Sequence, residues 1–280
     1  MTSNSYTEVL NGSAPVDFSG IPVLDYDHFY DEVTAMLSDE RYHCLNYFCY
    51  RTEAGLKFIC FMADDESGKV RLLSHVKRDD GIPLRSITGQ YYAMHIFERA
   101  IHESQGVTFE DHPWLKPVRY PHDRTDRLSA IDNYPFFEME GEELHEVGVG
   151  PIHAGVIEPG HFRFICNGER VLHLEMQLGY QHRGVERLFT EMSDGLRRSI
   201  LAENIAGDTA VGHGLAHAQV IESLAGFVPP ASLQAERCIA LELERIAVHI
   251  GDTAALCGDV AYQLGQVACE ALRTMVINTT

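Results

Sequence analysis

The sequence predicts an α+β protein: a small N-terminal α+β domain, then a β-hairpin region that leads into an antiparallel helical bundle. Three patterns indicate this. Short apolar strands and helical segments interleave before residue 120. Asn167-Gly168 lies between two short apolar runs, a strong hairpin pattern because both turn residues must accept positive φ. Beyond residue 203, apolar residues recur at helical spacing.

The N-terminal part begins with residues 1–20, which are polar and predict a mobile tail. Residues 25–37 have helical spacing, and residues 86–102 turn helical after an irregular start. Between them, aromatic and apolar runs predict strands at 44–50, 56–63 and 70–77. Because these strands and helices interleave, we expect a small α+β domain over residues 21–120.

Residues 121–147 contain prolines and a dense mixture of charges, which indicate a linker that lies on the surface of its neighbours. The hairpin follows it. In the second hairpin strand Leu172, Leu174, Met176 and Leu178 alternate with His173, Glu175 and Gln177, so one face is apolar and the other polar. Gly184 then opens a helix with apolar residues at i, i+3, i+4 and i+7.

The C-terminal part reads as three further helices, at about 211–224, 232–256 and 260–276. Gly226 with two prolines ends the first helix, and Gly258 breaks the second. Short breaks between helices of this length predict antiparallel neighbours in a bundle.

Composition narrows the function classes. The formal charge of −19 argues against nucleic acid and against direct docking on an anionic membrane surface. No apolar run approaches the length of a membrane span, and the first residues lack the apolar core of a secretory signal. The seven cysteines are odd in number and lie in apolar surroundings, as expected of reduced thiols in a cytosolic protein.

Several motifs in order carry a family resemblance over residues 148–280. They are Gly150-Pro151-Ile152-His153, Gly179-Tyr180-Gln181-His182-Arg183-Gly184-Val185-Glu186, and two helical motifs at 220–224 and 242–249. Together they resemble the large subunit of energy-converting (membrane-bound) NiFe hydrogenases and the 49 kDa subunit of respiratory complex I. Members of this family extend further, so the resemblance implies a C-terminally incomplete domain and a fragment.

A second resemblance covers residues 21–120. Phe97-Glu98-Arg99 and His112-Pro113-Trp114-Leu115-Lys116 resemble the end of the complex I 30 kDa subunit. Here Ala100 and Ser104 stand where that family has further acidic residues. Some membrane hydrogenases, of the formate hydrogenlyase type, carry this domain fused ahead of the large subunit, in the order found here.

The chain departs from the hydrogenases at their first metal-binding Cys-x-x-Cys. The two cysteine positions fall on Ala206 and Thr209, and neither side chain supplies the thiolate that nickel–iron chemistry needs. We therefore predict no metal on this chain. His153 matches the first of two histidines in the complex I quinone loop, whereas Ile157 stands at the second and Gly207 at the quinone-side tyrosine. Asp259 matches an acid that supports that second histidine.

The resemblance implies an oxidoreductase subunit, related to NADH dehydrogenases, that is active only within a complex. No cofactor would be bound by the chain itself: an iron–sulfur cluster would lie on a partner small subunit, and the acceptor would be a molecule such as a quinone. His153 and Asp259 are the candidate acceptor-binding residues. Protons would move through His153, Glu175, His182 and Glu186. The Arg183 guanidinium would hold two hydrogen-bond acceptors at the strand-to-helix junction around 179–184, which would face the iron–sulfur partner. The chain would be cytoplasmic, peripheral to the inner membrane, and linked to membrane subunits only through partners.

Two alternatives stay open. In the first alternative, the chain is a non-catalytic structural subunit of such a complex. The second is a metal-dependent hydrolase, because His213 and His217 lie at i and i+4, a spacing that places both on one helix face.

Overall fold

The computed structural model describes residues 5–10, 15–121, 123–153 and 157–279. The chain divides into two compact units, Met1–Arg183 and Gly184–Thr280. The hairpin region therefore belongs to the same compact unit as the N-terminal strands. The family-based boundaries 21–120, 121–147 and 148–280 stay predictions.

The first unit contains a five-stranded sheet. Its strands are β1 (Thr7–Leu10), β2 (Val23–Leu24), β3 (Tyr42–Thr52), β4 (Gly55–Asp64) and β5 (Lys69–Lys77). The order is β1-β5-β4-β3, with antiparallel pairing throughout, and β2 pairs parallel with β5. Helix α1 (Tyr26–Leu37) is capped at its N-terminus by Asp25, whose carboxylate accepts a hydrogen bond from the backbone N–H of His28 at 3.0 Å. The helix buries Phe29, Val33 and Met36 in the core that it shares with the sheet.

Strand β1 lies within the segment predicted to be a mobile tail, so the structure differs from the prediction there. Thr7–Leu10 pairs with Lys69–Leu72 of β5, and Glu8 forms ion pairs with Lys69 and Arg71 at 2.5 and 3.2 Å. These partners are some sixty residues away in the sequence, which explains why local composition did not reveal them. Residues 1–4 and 11–14 of the predicted tail lie outside the described residues.

Helix α2 (His95–Gln105) completes the N-terminal core, flanked by the short parallel strands β6 (Leu84–Arg85) and β7 (Phe109–Glu110). The helix ends at Gly106, which adopts φ 71°. Its buried face carries Glu98, Arg99 and Glu103. Such charges are rarely buried unless they are paired, and each of the three has polar partners in the neighbouring loops.

The hairpin region is a three-stranded antiparallel sheet of order β10-β9-β8. Its strands are β8 (Leu144–Val149), β9 (His161–Asn167) and β10 (Arg170–Gln177). The register pairs Asn167 with Arg170, which confirms the predicted hairpin. The turn lies one residue later than predicted: Asn167 is the last residue of β9, the turn residues are Gly168 and Glu169, and Gly168 has φ 56°. The predicted alternation in β10 is also present, but its polar side chains Glu175 and Gln177 are buried.

The second unit is helical. It contains α3 (Val185–Glu191), α4 (Gly195–Glu203), α5 (Ala210–Ala225), α6 (Ala231–Asp259) and α7 (Gln263–Ile277). The three long helices confirm the predicted ones to within a few residues. Helices α6 and α7 are joined by three residues and pack on each other. Within the part of the chain that the structure describes, no helix combines the length and apolarity that a membrane crossing requires.

Candidate functional site

Glu175 is the most enclosed of the predicted site residues, and it lies on the polar face of β10. Its side chain is 4% exposed. Oε1 accepts hydrogen bonds from Lys116 Nζ at 2.5 Å and Trp114 Nε1 at 3.1 Å. The hydroxyl of Tyr134 donates to the same oxygen at 3.2 Å, and the backbone N–H of Phe137 donates to Oε2 at 2.7 Å. The carboxylate therefore joins the hairpin sheet to the segment 114–137.

The charge of Glu175 is stabilised despite its enclosure. Burial by itself acts to raise the pKa of this carboxyl group. The hydrogen bond and charge of Lys116, with the donors from Phe137 and Trp114, outweigh burial and hold the pKa below its usual value. A carboxylate held in its ionised form by four donors is suited to fixing the arrangement of neighbouring segments.

Arg99 holds Lys116 and Trp114 in place. Its guanidinium lies 3.9 Å from the centre of the Trp114 ring and donates to the backbone carbonyls of Lys116 and Pro117, both at 2.8 Å. Arg99 has no solvent exposure. Helix α2 of the N-terminal core is thus connected through Arg99, Trp114 and Lys116 to Glu175 in the hairpin sheet.

The C-terminal end of β10 is fixed by a second set of contacts. Gln177 is 2% exposed and donates to the carbonyl of Ile131, while its Oε1 accepts from the hydroxyl of Tyr180 at 2.9 Å. Gly179 has φ 103°, and a Cβ there would lie 2.9 Å from both the Val118 carbonyl oxygen and the Tyr120 ring. Only glycine fits this close approach.

The predicted strand-to-helix junction, which contains His182 and Arg183, begins directly after Gly179. His182 closes a turn through its backbone N–H, which donates to the carbonyl of Gly179 at 3.1 Å, and its side chain is exposed. Arg183 is also exposed and is the last residue of the first unit, whereas Glu186 is in the first turn of α3 in the second unit. The hydrogen bonds of Glu175 come instead from Trp114, Lys116, Tyr134 and Phe137.

His153 lies in the loop between β8 and β9. Its Nε2 is 2.8 Å from the carbonyl oxygen of Gly160, to which it donates, and its ring meets Phe162 edge-on with 5.4 Å between centroids. Ile157, at the family's second histidine position, pairs with His153 in an isolated β-bridge. The structure therefore gives His153 a local contact across its own loop.

A small cavity of about 190 Å³ lies within the second unit, between the start of α5 and helices α6 and α7. Its walls are mostly apolar and include Val211, Ala247 and Ile277. Arg273 and Asp208 form an ion pair of 3.2 Å on its lining.

Glu244 shapes the same cavity from α6. Its carboxylate accepts from the backbone N–H groups of Val211 and Gly212 at 2.6 and 3.0 Å, so it caps the N-terminus of α5 from a neighbouring helix. The sequence gives no local sign of this cap, because Glu244 is more than thirty residues away from the N–H groups that it accepts from.

The cavity adjoins Ala206 and Thr209, the positions at which the resemblance predicts the hydrogenase cysteines. Ala206 precedes the 3₁₀ turn Gly207–Thr209, and Gly207 and Asp208 line the cavity. The lining in the described part of the chain offers methyl, methylene, guanidinium and carboxylate groups rather than thiolates. These groups suit a small organic molecule with one hydrogen-bond acceptor better than a soft metal ion.

The remaining predicted residues lie in simpler surroundings. Asp259 is exposed and is the last residue of α6. His213 contacts Thr209 at 2.9 Å, and His217 packs near the ring of Phe189 at 5.6 Å between centroids. Among the described residues, no three His, Cys, Asp or Glu side chains form a group that could hold a metal ion. The paired histidines thus gain no third ligand there, and the hydrolase alternative gains no support.

Comparisons with known proteins give these sites a context. Residues 24–129 match the family described as the respiratory-chain NADH dehydrogenase 30 Kd subunit. The chain is 28% identical over 154 residues to hydrogenase-4 component G of Escherichia coli, which covers 55% of the chain and 28% of that protein. It is 32% identical over 122 residues to the membrane-bound hydrogenase subunit alpha of Pyrococcus furiosus, covering 42% of the chain and 27% of the relative.

The C/D subunit of the NADH-quinone oxidoreductase of Aeromonas salmonicida is 26% identical over 230 residues, with 69% of this chain and 37% of that protein covered. The chain therefore spans well under half the length of these relatives. Residues 24–129 are a domain of the 30 kDa type, as the motifs around Glu98 and Trp114 predicted. The chain is related to subunits of hydrogenase and complex I assemblies.

Proposed function

We propose that this chain is a subunit of an electron-transfer complex related to complex I and to energy-converting hydrogenases. In this proposal an iron–sulfur partner passes electrons to an acceptor such as a quinone that the chain positions without a nickel–iron centre. The chain would lie on the cytosolic side of the membrane, attached through partner subunits. The order of its parts, a 30 kDa-type domain followed by hydrogenase-like motifs, supports this proposal.

The cavity beside Gly207 is the observation that carries the acceptor-binding proposal. Its volume of about 190 Å³ is of the size that holds a single substituted ring, since an apolar cavity of about 150 Å³ takes a benzene molecule. Val211 and Ile277 would pack on the faces of the ring, and the Arg273 guanidinium would donate to a ring carbonyl oxygen. Asp208 would keep that guanidinium oriented.

Ligand binding tests this proposal directly. Decylubiquinone should raise the melting temperature of the purified chain, and the rise should grow with the logarithm of the ligand concentration above the dissociation constant. Val211→Phe should abolish that rise, because the larger side chain fills the cavity. Val220→Phe is the matched control, since Val220 is on the same helix, is 56% exposed and does not line the cavity. An equal rise for wild type and Val211→Phe would place the quinone elsewhere.

A non-catalytic structural subunit is the second candidate. The observation in its favour is Glu175, which four donors hold as an ionised link between two segments rather than as an open proton carrier. In that case decylubiquinone would leave the melting temperature of wild type unchanged, and the chain would still be required for assembly of the complex.

A further inference from the structure

We infer that one face of the hairpin sheet is a docking surface for a partner protein that presents an apolar patch bordered by lysines or arginines. This inference rests on the proposed function, in which the chain works as a subunit of a larger assembly. The open face, as we name this surface, consists of apolar residues from all three strands: Val147, Val149, Phe162, Phe164, Leu174 and Met176.

The strand register makes the open face continuous. Val147 pairs with Phe164 and Phe164 with Leu174, so one row crosses the sheet. Val149, Phe162 and Met176 form the next row. The opposite face of the sheet carries Glu175 and Gln177 and is covered by the segment 114–137.

Four of these six apolar side chains are exposed, whereas Phe162 and Phe164 are half-buried. Val147 is 40% exposed, Leu174 48% and Met176 41%. Two further apolar residues, Ile152 and Ile157, extend the surface at the loop between β8 and β9, with 74% and 53% exposed. Adjacent large apolar side chains with this exposure are typical of a protein–protein contact, because each would gain free energy on removal from water.

Charge at the other end of the open face identifies the chemistry of the partner. Glu142 and Glu143 directly precede β8, and Glu169 lies in the turn between β9 and β10. All three are exposed. Asn167, at the end of β9, donates a hydrogen bond to Glu143 at 3.5 Å, which links the residues before β8 to the turn between β9 and β10. Arg170 is the basic residue at this end. A partner with lysines or arginines beside an apolar patch would complement this acidic border.

A second copy of this chain is a poorer fit. If two copies packed their open faces together with the strands running in the same direction, Glu142, Glu143 and Glu169 of one copy would lie against the same residues of the other and repel them. Packed in opposite directions, each group of glutamates would lie against the apolar end at Ile152 and Ile157. The formal charge of −19 on each copy adds a further repulsion.

Carbodiimide cross-linking of the native assembly tests the inference, because this reagent joins carboxylates to amines without a spacer. The lysines of the chain are Lys57, Lys69, Lys77 and Lys116, and all lie in the first unit. We expect cross-linked peptides that join Glu142, Glu143 or Glu169 to a lysine of another protein. Cross-links from these glutamates only to the lysines of this chain would overturn the inference. So would cross-links between isotope-labelled and unlabelled copies.

A substitution on the open face gives the second arm. Leu174→Glu should lower recovery of the chain in the assembly by about tenfold or more, since a carboxylate would be buried against an apolar patch. Leu128→Glu is the matched control: Leu128 is in the same unit, off the sheet, and 87% exposed. Met176→Thr, which retains a residue favoured in strands, replaces Leu174→Glu if thermal melts show that the latter is unfolded.

The outcomes separate the two proposals. If wild type is found in an assembly and the open-face variants are found there equally, the docking inference is wrong and the proposed function stands. If wild type purifies alone from the cells that naturally produce it, the proposed function fails and the docking inference fails with it. Loss of the open-face variant with retention of Leu128→Glu supports both.

Discussion

Replacing Glu175 by Gln should destabilise the first unit by about 3 kcal/mol. The substitution removes one partner of a pair in which Glu175 is 4% and Lys116 23% exposed. Removal of one member of a buried ion pair costs about 3–5 kcal/mol, and the residual exposure of Lys116 places this pair near the lower end. The amide also turns an N–H group toward a site that already contains the Trp114 and Tyr134 donors.

Urea unfolding followed by tryptophan fluorescence measures this change at the site itself, because Trp114 is the single tryptophan of the chain and donates to Glu175. Glu169→Gln, an exposed substitution in the same hairpin, is the control and should change the free energy of unfolding by less than about 0.5 kcal/mol. A double-mutant cycle with Lys116→Met isolates the pair. A loss below about 1 kcal/mol for Glu175→Gln would refute a linking role.

The pH dependence of that difference has a definite sign. The folded state lowers the pKa of Glu175, so the stability that the carboxylate contributes is present above the unfolded pKa, near 4.5. It is lost as the pH falls through the lower, folded pKa. The stability difference between wild type and Glu175→Gln should therefore shrink in acid.

Three further predictions concern other parts of the chain. Gly179→Ala should destabilise the first unit by more than about 1 kcal/mol in urea unfolding, because φ is 103° and the Val118 carbonyl blocks a Cβ. Gly20→Ala is the control and should not cause this loss, because the space around Gly20 is open. Burial lowers the pKa of His112 to about 4 from 6.5, so about 3 kcal/mol of unfolding free energy should be lost as the pH falls from 6.5 to 4. His112→Asn, whose side chain can still accept from the backbone N–H of Trp114, should flatten that loss. Elemental analysis of the untagged chain should find no stoichiometric nickel, since Ala206 and Thr209 offer no thiolate; one nickel per chain would contradict this.

The sequence predicted the local features of this fold well. The hairpin between β9 and β10, the alternation in β10 and the long helices all depend on residues within a few positions of one another. The contacts of β10 with distant segments were not predictable in this way. Its polar face is the buried one because Lys116, 59 residues earlier, supplies the charge that Glu175 needs. A Trp-x-Lys motif before a buried Glu gives no periodic pattern that would reveal the pair.

The candidate site likewise combines features that the local sequence reveals with features that depend on distant residues. Ala206 and Thr209 could be read directly from the sequence, and neither side chain offers a thiolate ligand. The cavity beside them depends on Glu244 and Arg273, which come from helices more than thirty residues farther along the chain. Of the residues predicted from the resemblance, Glu175 is the most buried, and the proton-carrying roles of His153, His182 and Glu186 stay predictions.

The most direct test of the proposed function is reoxidation of the reduced iron–sulfur partner by decylubiquinone, followed by absorbance with and without this chain. We predict that wild type accelerates the reaction, that Val220→Phe does so equally, and that Val211→Phe and Arg273→Met lose about tenfold or more, through lost packing and a lost hydrogen bond to the ring. Equal rates with wild type, with Val211→Phe and with the partner alone would contradict an acceptor site on this chain.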